Sequence, residues 1–272
     1  MRPIFKLSMF CLAVGIGTGC KPEEIIVTED IPTAGVRFVH AVPDAAALDF
    51  RPVDIVENTH FYSVAFRSTA LFYYKNARAG ARNFRIFKAS TDQSVASQVV
   101  QDVNVTLEAG KNYTFILWGY ESSGSPAMQL SILNDDPADP GSQVALRLVN
   151  AAAGLGALDG RQYPNGGTVP GSPTWAAVPE LSASSYVTAP TGQIRFNVTP
   201  AGGGTALFAD ALALAGTAAT VDLDATPGTT VAGSAVSAFI FPRSVAGSAA
   251  ASFTTPGVVF VWDRRPPRPP GV

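Results

Sequence analysis

Apolar and polar residues alternate along this chain in short runs, and the alternation has the period of two that belongs to β-strands. Val36 and Phe38 are set against Arg37 and Val39 until Pro43-Asp44 turns the chain. Phe84 and Ile86 flank Arg85, and Val103, Val105 and Leu107 flank Asn104 and Thr106. Glu108-Ala109-Gly110-Lys111-Asn112 then turns into the apolar run Tyr113–Gly119, a pair that reads as a hairpin. Met128–Leu133 supplies a closing strand. No run has the length and 3.6-residue period of a long helix. The alanine-rich stretch Ala206–Ala219 is read as strand, because its counterpart earlier in the chain is extended.

That counterpart exists because the pattern occurs twice. Arg37, Val39, Ala41 and Ala47-Leu48-Asp49 return as Arg147, Val149, Ala151 and Ala157-Leu158-Asp159, at a constant spacing of 110 residues. Further on, Tyr74, Gly80, Phe84 and Ile86 return as Tyr186, Gly192, Phe196 and Val198, at 112. The change implies a short insertion, which the Gly/Pro-rich loop 160–173 can hold. Val258–Asp263 closes the second copy as Leu130–Asp135 closes the first. The chain therefore divides into a first β-sandwich at 35–136, a linker at 137–142 whose two prolines limit flexing, and a second β-sandwich at 143–264. Each unit, at roughly 100 to 120 residues, can bury a core.

Composition agrees with many short strands joined by turns. Of 272 residues, 25 are Gly and 21 Pro, and charged residues make up only 15% against 47% hydrophobic. The formal net charge is −2, with no basic stripe before the Arg264–Pro270 tail, so no nucleic-acid partner is expected. Residues 1–20 run from Arg2 and Lys6 through the apolar stretch Leu7–Ile16 to Gly17-Thr18-Gly19-Cys20. This reads as an export leader too short to span a bilayer. It resembles the bacterial lipoprotein signal, which implies that Cys20 is lipidated and becomes the new N-terminus. Cys11 and Cys20 are the two cysteines, so the folded part has no disulfide framework. The acidic stretch 21–34 reads as a tether, and Lys21 after the cysteine implies an outer-membrane address. Residues 265–272 form a Pro/Arg-rich tail.

The series arginine, apolar residue, valine, histidine, alanine at Arg37–Ala41, the turn Pro43-Asp44, then Ala47-Leu48-Asp49, together with Glu108–Thr114, resembles the bacterial domain-of-unknown-function family 4397. The second copy departs from it, with Asn150 for the histidine and Ala153-Gly154 for the turn. The resemblance implies tandem immunoglobulin-like antiparallel β-sandwiches on an exported protein, and no established activity.

Candidate chemistry is sparse. His40, Asp44 and Asp49 could bind a metal or move protons, yet a structural role serves as well: His or Asn at a strand end bonding the turn, and Asp capping it. Asp135, Asp136 and Asp139 offer hard oxygens for calcium at the junction, against a solvated acidic turn. Tyr73, Tyr74, Trp118 and Tyr120 could form a platform for sugars or peptides, or fill the core. No Gly-X-Ser-X-Gly elbow is present, and Gly202-Gly203-Gly204 reads as a turn rather than a phosphate loop. No cofactor is expected. The expectation is a non-enzymatic, lipid-anchored envelope module for binding, adhesion or surface assembly, with an envelope polysaccharide or protein as partner. The alternatives are a metal-dependent or hydrolytic envelope enzyme and a ligand-sensing partner of a membrane signalling complex.

Overall fold

The computed structural model describes residues 30–68, 73–122, 125–248 and 252–268. The leader, Cys20 and most of the expected tether lie outside them. The alternating runs become strands that pair into four sheets. In the first sandwich, β4 (Lys75–Arg78), β1 (Thr33–Ala41), β7 (Asn112–Trp118) and β8 (Gln129–Asn134) make one sheet in that order. The facing sheet is β3 (Phe61–Val64), β2 (Leu48–Pro52), β5 (Gly80–Lys88) and β6 (Val99–Leu107). One short helix, α1 (Gln93–Ala96), starts where Asp92 accepts the Ser94 amide at 2.9 Å.

The second sandwich repeats the plan. Its sheets are β11 (Trp175–Val178), β10 (Leu158–Pro164), β14 (Ile194–Pro200) and β15 (Ala211–Leu212), and β12 (Ser182–Ala183), β9 (Val144–Asn150), β16 (Ala235–Phe241) and β17 (Gly257–Arg264), with β13 (Val187–Ala189) also on β9. Of the stretch expected as strand over 206–219, Ala211–Leu212 forms a short strand on β14 and Thr217 a single bridge to Thr226. Seven alanines and one glycine there leave little side chain to hold a ladder. The segment between β10 and β11 is 165–174, which overlaps the loop expected at 160–173.

Two pairings differ from the antiparallel hairpin pattern. β1 runs parallel to β7, and β9 parallel to β16. The expected hairpin of β6 with β7 does not form: β6 pairs β5, and the turn at 108–111 carries the chain across to the other sheet. Gly110 makes that crossing at φ 76°, donating its amide to Thr33 at 2.8 Å.

Period two explains what lies where. Val36 and Phe38 of β1, with Phe115 and Leu117 of β7, point to the core of the first sandwich, where Phe50 stacks at 5.0 Å on both Phe38 and Phe84. Leu146, Leu148, Val236 and Ala238 do the same in the second. The opposite faces of these strands are buried too. Val39, Ala41, Ile116 and Trp118 meet Val149, Ala151, Phe239 and Phe241 in a third core between the sandwiches. The four sheets thus stack face to face, which explains why β1, β7, β9 and β16 are buried at nearly every position.

Candidate functional site

Within the third core, period two also places polar residues. Arg37 on β1, Thr114 on β7 and Asp135 after β8 share the inter-sandwich face, and Arg147, Ser237 and Asp263 are their counterparts. The arginines cross over. Arg37 Nη2 lies 2.7 Å from Asp263 and 3.3 Å from its own sandwich's Asp135. Arg147 is bound closely to Asp135 and stands 3.6 Å from Asp263. Each guanidinium is also fixed within its own sandwich: Arg37 Nε donates to Thr114 at 3.0 Å and Arg147 Nε to Ser237 at 2.5 Å. Thr114 in turn donates to Asp135, and Ser237 to Asp263.

Two tyrosines close the set. Arg37 lies 4.4 Å over the ring of Tyr74, and Arg147 4.6 Å over Tyr186. Their hydroxyls donate to Asp135 at 2.8 Å and Asp263 at 2.9 Å. All four ionic side chains are at most 4% exposed. Burial works against the charge on Arg37 and Arg147, but the aspartates and tyrosines around them outweigh it and hold both protonated. Burial likewise pushes the Asp263 carboxyl up, and Arg147 and Arg37 bring it below the usual carboxylate range. The arrangement is an electroneutral ionic lock with its hydrogen-bonding capacity filled from both sides.

His40 sits elsewhere, at the end of β1, and is 1% exposed. The Val42 amide donates to its Nδ1 at 3.2 Å, so Nε2 carries the proton and donates to the Ala46 carbonyl at 2.9 Å. Asn150 repeats both bonds in the second copy: Oδ1 accepts the Ala152 amide at 3.2 Å, and Nδ2 donates to Gly156 at 2.9 Å. Asp44 accepts the amides of Glu121 and Ser122, both at 2.9 Å. Asp49 accepts the amide of Ser63 at 2.8 Å, and Asp159 that of Ala177 at 2.7 Å. Ser63 and Ala177 have φ of 49° and 47°, so each aspartate holds a left-handed residue in the neighbouring edge strand. The three side chains proposed as one cluster thus hold three different segments of backbone.

Burial lowers the His40 pKa to about 4, against the weaker pull of the Ala46 carbonyl. The unfolded state then binds the extra proton between pH 6.5 and 4, and stability falls as pH drops through that window by about 3 kcal/mol. His40→Asn is expected to remove this slope while staying within about 1 kcal/mol of the parent at pH 7, since Asn150 makes the same bonds. His40→Ala, which strands the Val42 amide, should cost about 1–3 kcal/mol. Urea midpoints measured from pH 7 to pH 4 check both; an unchanged slope in His40→Asn would exclude His40 as its source.

The junction carboxylates do not converge for calcium. Asp135 belongs to the lock, Asp136 pairs with Lys111, and Asp139 lies 2.6 Å from Arg264 and accepts the Gly141 amide at 2.9 Å. Among the described residues no group of three His, Cys, Asp or Glu side chains is placed to hold a metal ion. The four aromatics do not share a platform either. Trp118 is buried between the sandwiches, Tyr74 belongs to the lock, Tyr120 donates to the Ala153 carbonyl at 3.3 Å across the seam, and Tyr73 is exposed. Tyr74, Tyr186, Thr114, Ser237 and Asp263 escaped notice as a set. Their signal was recurrence, since each polar residue of one copy has its equivalent in the other.

The fold and the lock define a tandem β-sandwich protein whose halves are joined through a shared ionic core. Residues 34–161 of the chain match the family described as a domain of unknown function (DUF4397). The match takes in the first sandwich, the linker and β9 and most of β10 of the second. No curated protein matches the chain.

Proposed function

We propose that this protein is a non-enzymatic module of the cell envelope, lipid-anchored through Cys20, that binds an envelope polysaccharide or protein. The observation that carries the reading is the ionic lock. The densest set of ionisable side chains is spent on joining two β-sandwiches, and His40 has both ring nitrogens bonded to backbone. That leaves recognition to the exposed sheet faces and loops, on which β-sandwich domains commonly carry it. The leader pattern from Arg2 to Cys20 supports export and anchoring.

The test has two parts. Cells given an alkyne-tagged palmitate should label the full chain, and Cys20→Ala should abolish the label. The mature chain from Lys21, passed over fractionated envelope, should be retained saturably by one fraction. Turnover of an envelope polymer that is lost in His40→Ala but kept in a folded control would overturn the non-enzymatic reading. Labelling that survives in Cys20→Ala would remove the anchor.

A further inference from the structure

The two copies differ most tellingly on the outer face of the sheet β3-β2-β5-β6. Where the second copy has Ala176 and Thr199, the first has Tyr62 and Phe87, as the shared register of the Asp49 and Asp159 contacts shows. Between these rings stands Arg51, its guanidinium 4.1 Å from the centre of Phe87 and 5.8 Å from that of Tyr62. Its counterpart Arg161 is buried and donates to Thr199 at 3.2 Å. Arg51 is instead partly exposed: Nη2 reaches Asp49 at 3.3 Å and the Ala96 carbonyl at 3.5 Å, and Nε makes no hydrogen bond.

Tyr62 is 58% exposed and packs beside His60 with ring centres 4.5 Å apart. These residues open onto a cavity of about 240 Å³ that Asp54, Val56 and Glu57 also line. Asp54 and Glu57 are oriented by Arg82, at 3.0 Å and 2.9 Å, so the rim is held by the sandwich beneath it. Val56 is fully exposed.

We propose that this face of the first sandwich is a saccharide-binding site, with the Tyr62 ring as platform for one face of a pyranose. The chemistry favours a sugar because a pyranose presents C–H groups on its face and hydroxyls around its rim. The site offers an exposed ring for the first, and for the second Arg51 donors, the His60 imidazole and two carboxylates that accept. A purely apolar ligand would leave these charged groups desolvated without partners. The inference rests on the proposed binding role and gives it a ligand class and a place. It belongs to the first copy alone.

Saturation-transfer NMR on the mature chain from Lys21 tests it, with the methyl glycosides of glucose, galactose, N-acetylglucosamine and glucuronate as probes. At least one should receive saturation on the protons of one ring face. Tyr62→Ala should weaken that binding by roughly tenfold or more, whereas Tyr73→Ala, another exposed tyrosine, should leave it unchanged. Because Tyr62 is exposed, circular dichroism should be unaltered in Tyr62→Ala. Saturation of none of the four probes, or binding that persists in Tyr62→Ala, overturns the site. Envelope retention that survives Tyr62→Ala removes the saccharide site while leaving the wider binding role in place, so the two failures are distinguishable.

Discussion

Arg37→Ala is expected to cost about 3–5 kcal/mol of unfolding free energy, among the largest effects of any single substitution in this chain. The loss comes less from the missing attraction than from what stays behind. Asp263 and Asp135 would be left with one guanidinium in place of two, in a site where both arginine–aspartate crossings are almost wholly excluded from water. Arg37→Lys should recover little, because one ammonium cannot reach Thr114, Asp135, Asp263 and the Trp262 carbonyl as the planar fork does. Replacing all four charges together, Arg37 and Arg147 by Met and Asp135 and Asp263 by Leu, should be milder than the single change only when Thr114→Val, Ser237→Ala, Tyr74→Phe and Tyr186→Phe accompany it, since those hydroxyls donate to the two aspartates. Asp263 has its folded pKa depressed, so its contribution is present above the usual carboxylate pKa and is lost as pH falls through the folded value. In Arg37→Ala that depression shrinks, and acid unfolding should begin at higher pH. Urea midpoints across the series decide the matter: a loss under about 1 kcal/mol in Arg37→Ala would mean that water reaches the lock.

The repeat and its strands were legible because period-two alternation and the recurrence of Arg37, Asp49 and Phe84 are local signals. Stacking of the two sandwiches was not. An arginine between Val36 and Phe38 reads as the solvated side of a half-buried strand, and partners 98 and 226 residues away, Asp135 and Asp263, make its burial tolerable. Asp135 misled for a related reason. Beside Asp136 and Asp139 it has the look of an acidic linker, whereas the strand register of β8 turns it inward and leaves its neighbours outside. The pairing of polar residues between copies distinguishes these cases. Asp135 has Asp263 as its equivalent, while His40 is replaced by Asn150, which preserves hydrogen bonds and discards imidazole chemistry. The crossing at 108–111 was hidden by a turn whose sequence suits a hairpin equally well.

Trp118 provides the second large effect and separates the third core from the lock. Trp118→Ala is expected to cost about 3–5 kcal/mol, since the indole is 6% exposed and fills the space between β7 and the second sandwich. Its equivalent in the second copy is Phe241, fully buried in the same core. The indole Nε1 is buried and makes no hydrogen bond. Trp118→Phe therefore removes an unsatisfied donor worth about 1–3 kcal/mol, which offsets the ring volume it gives up, and should stay within about 1 kcal/mol of the parent. If the sandwiches are held by the apolar contact as much as by the charges, Trp118→Ala should bind a hydrophobic dye at urea concentrations below its main transition, as the third core opens ahead of the other two. Trp118→Phe should not. Equal stability of Trp118→Ala and Trp118→Phe would mean that the site collapses without cost, leaving the ionic lock to hold the two halves together.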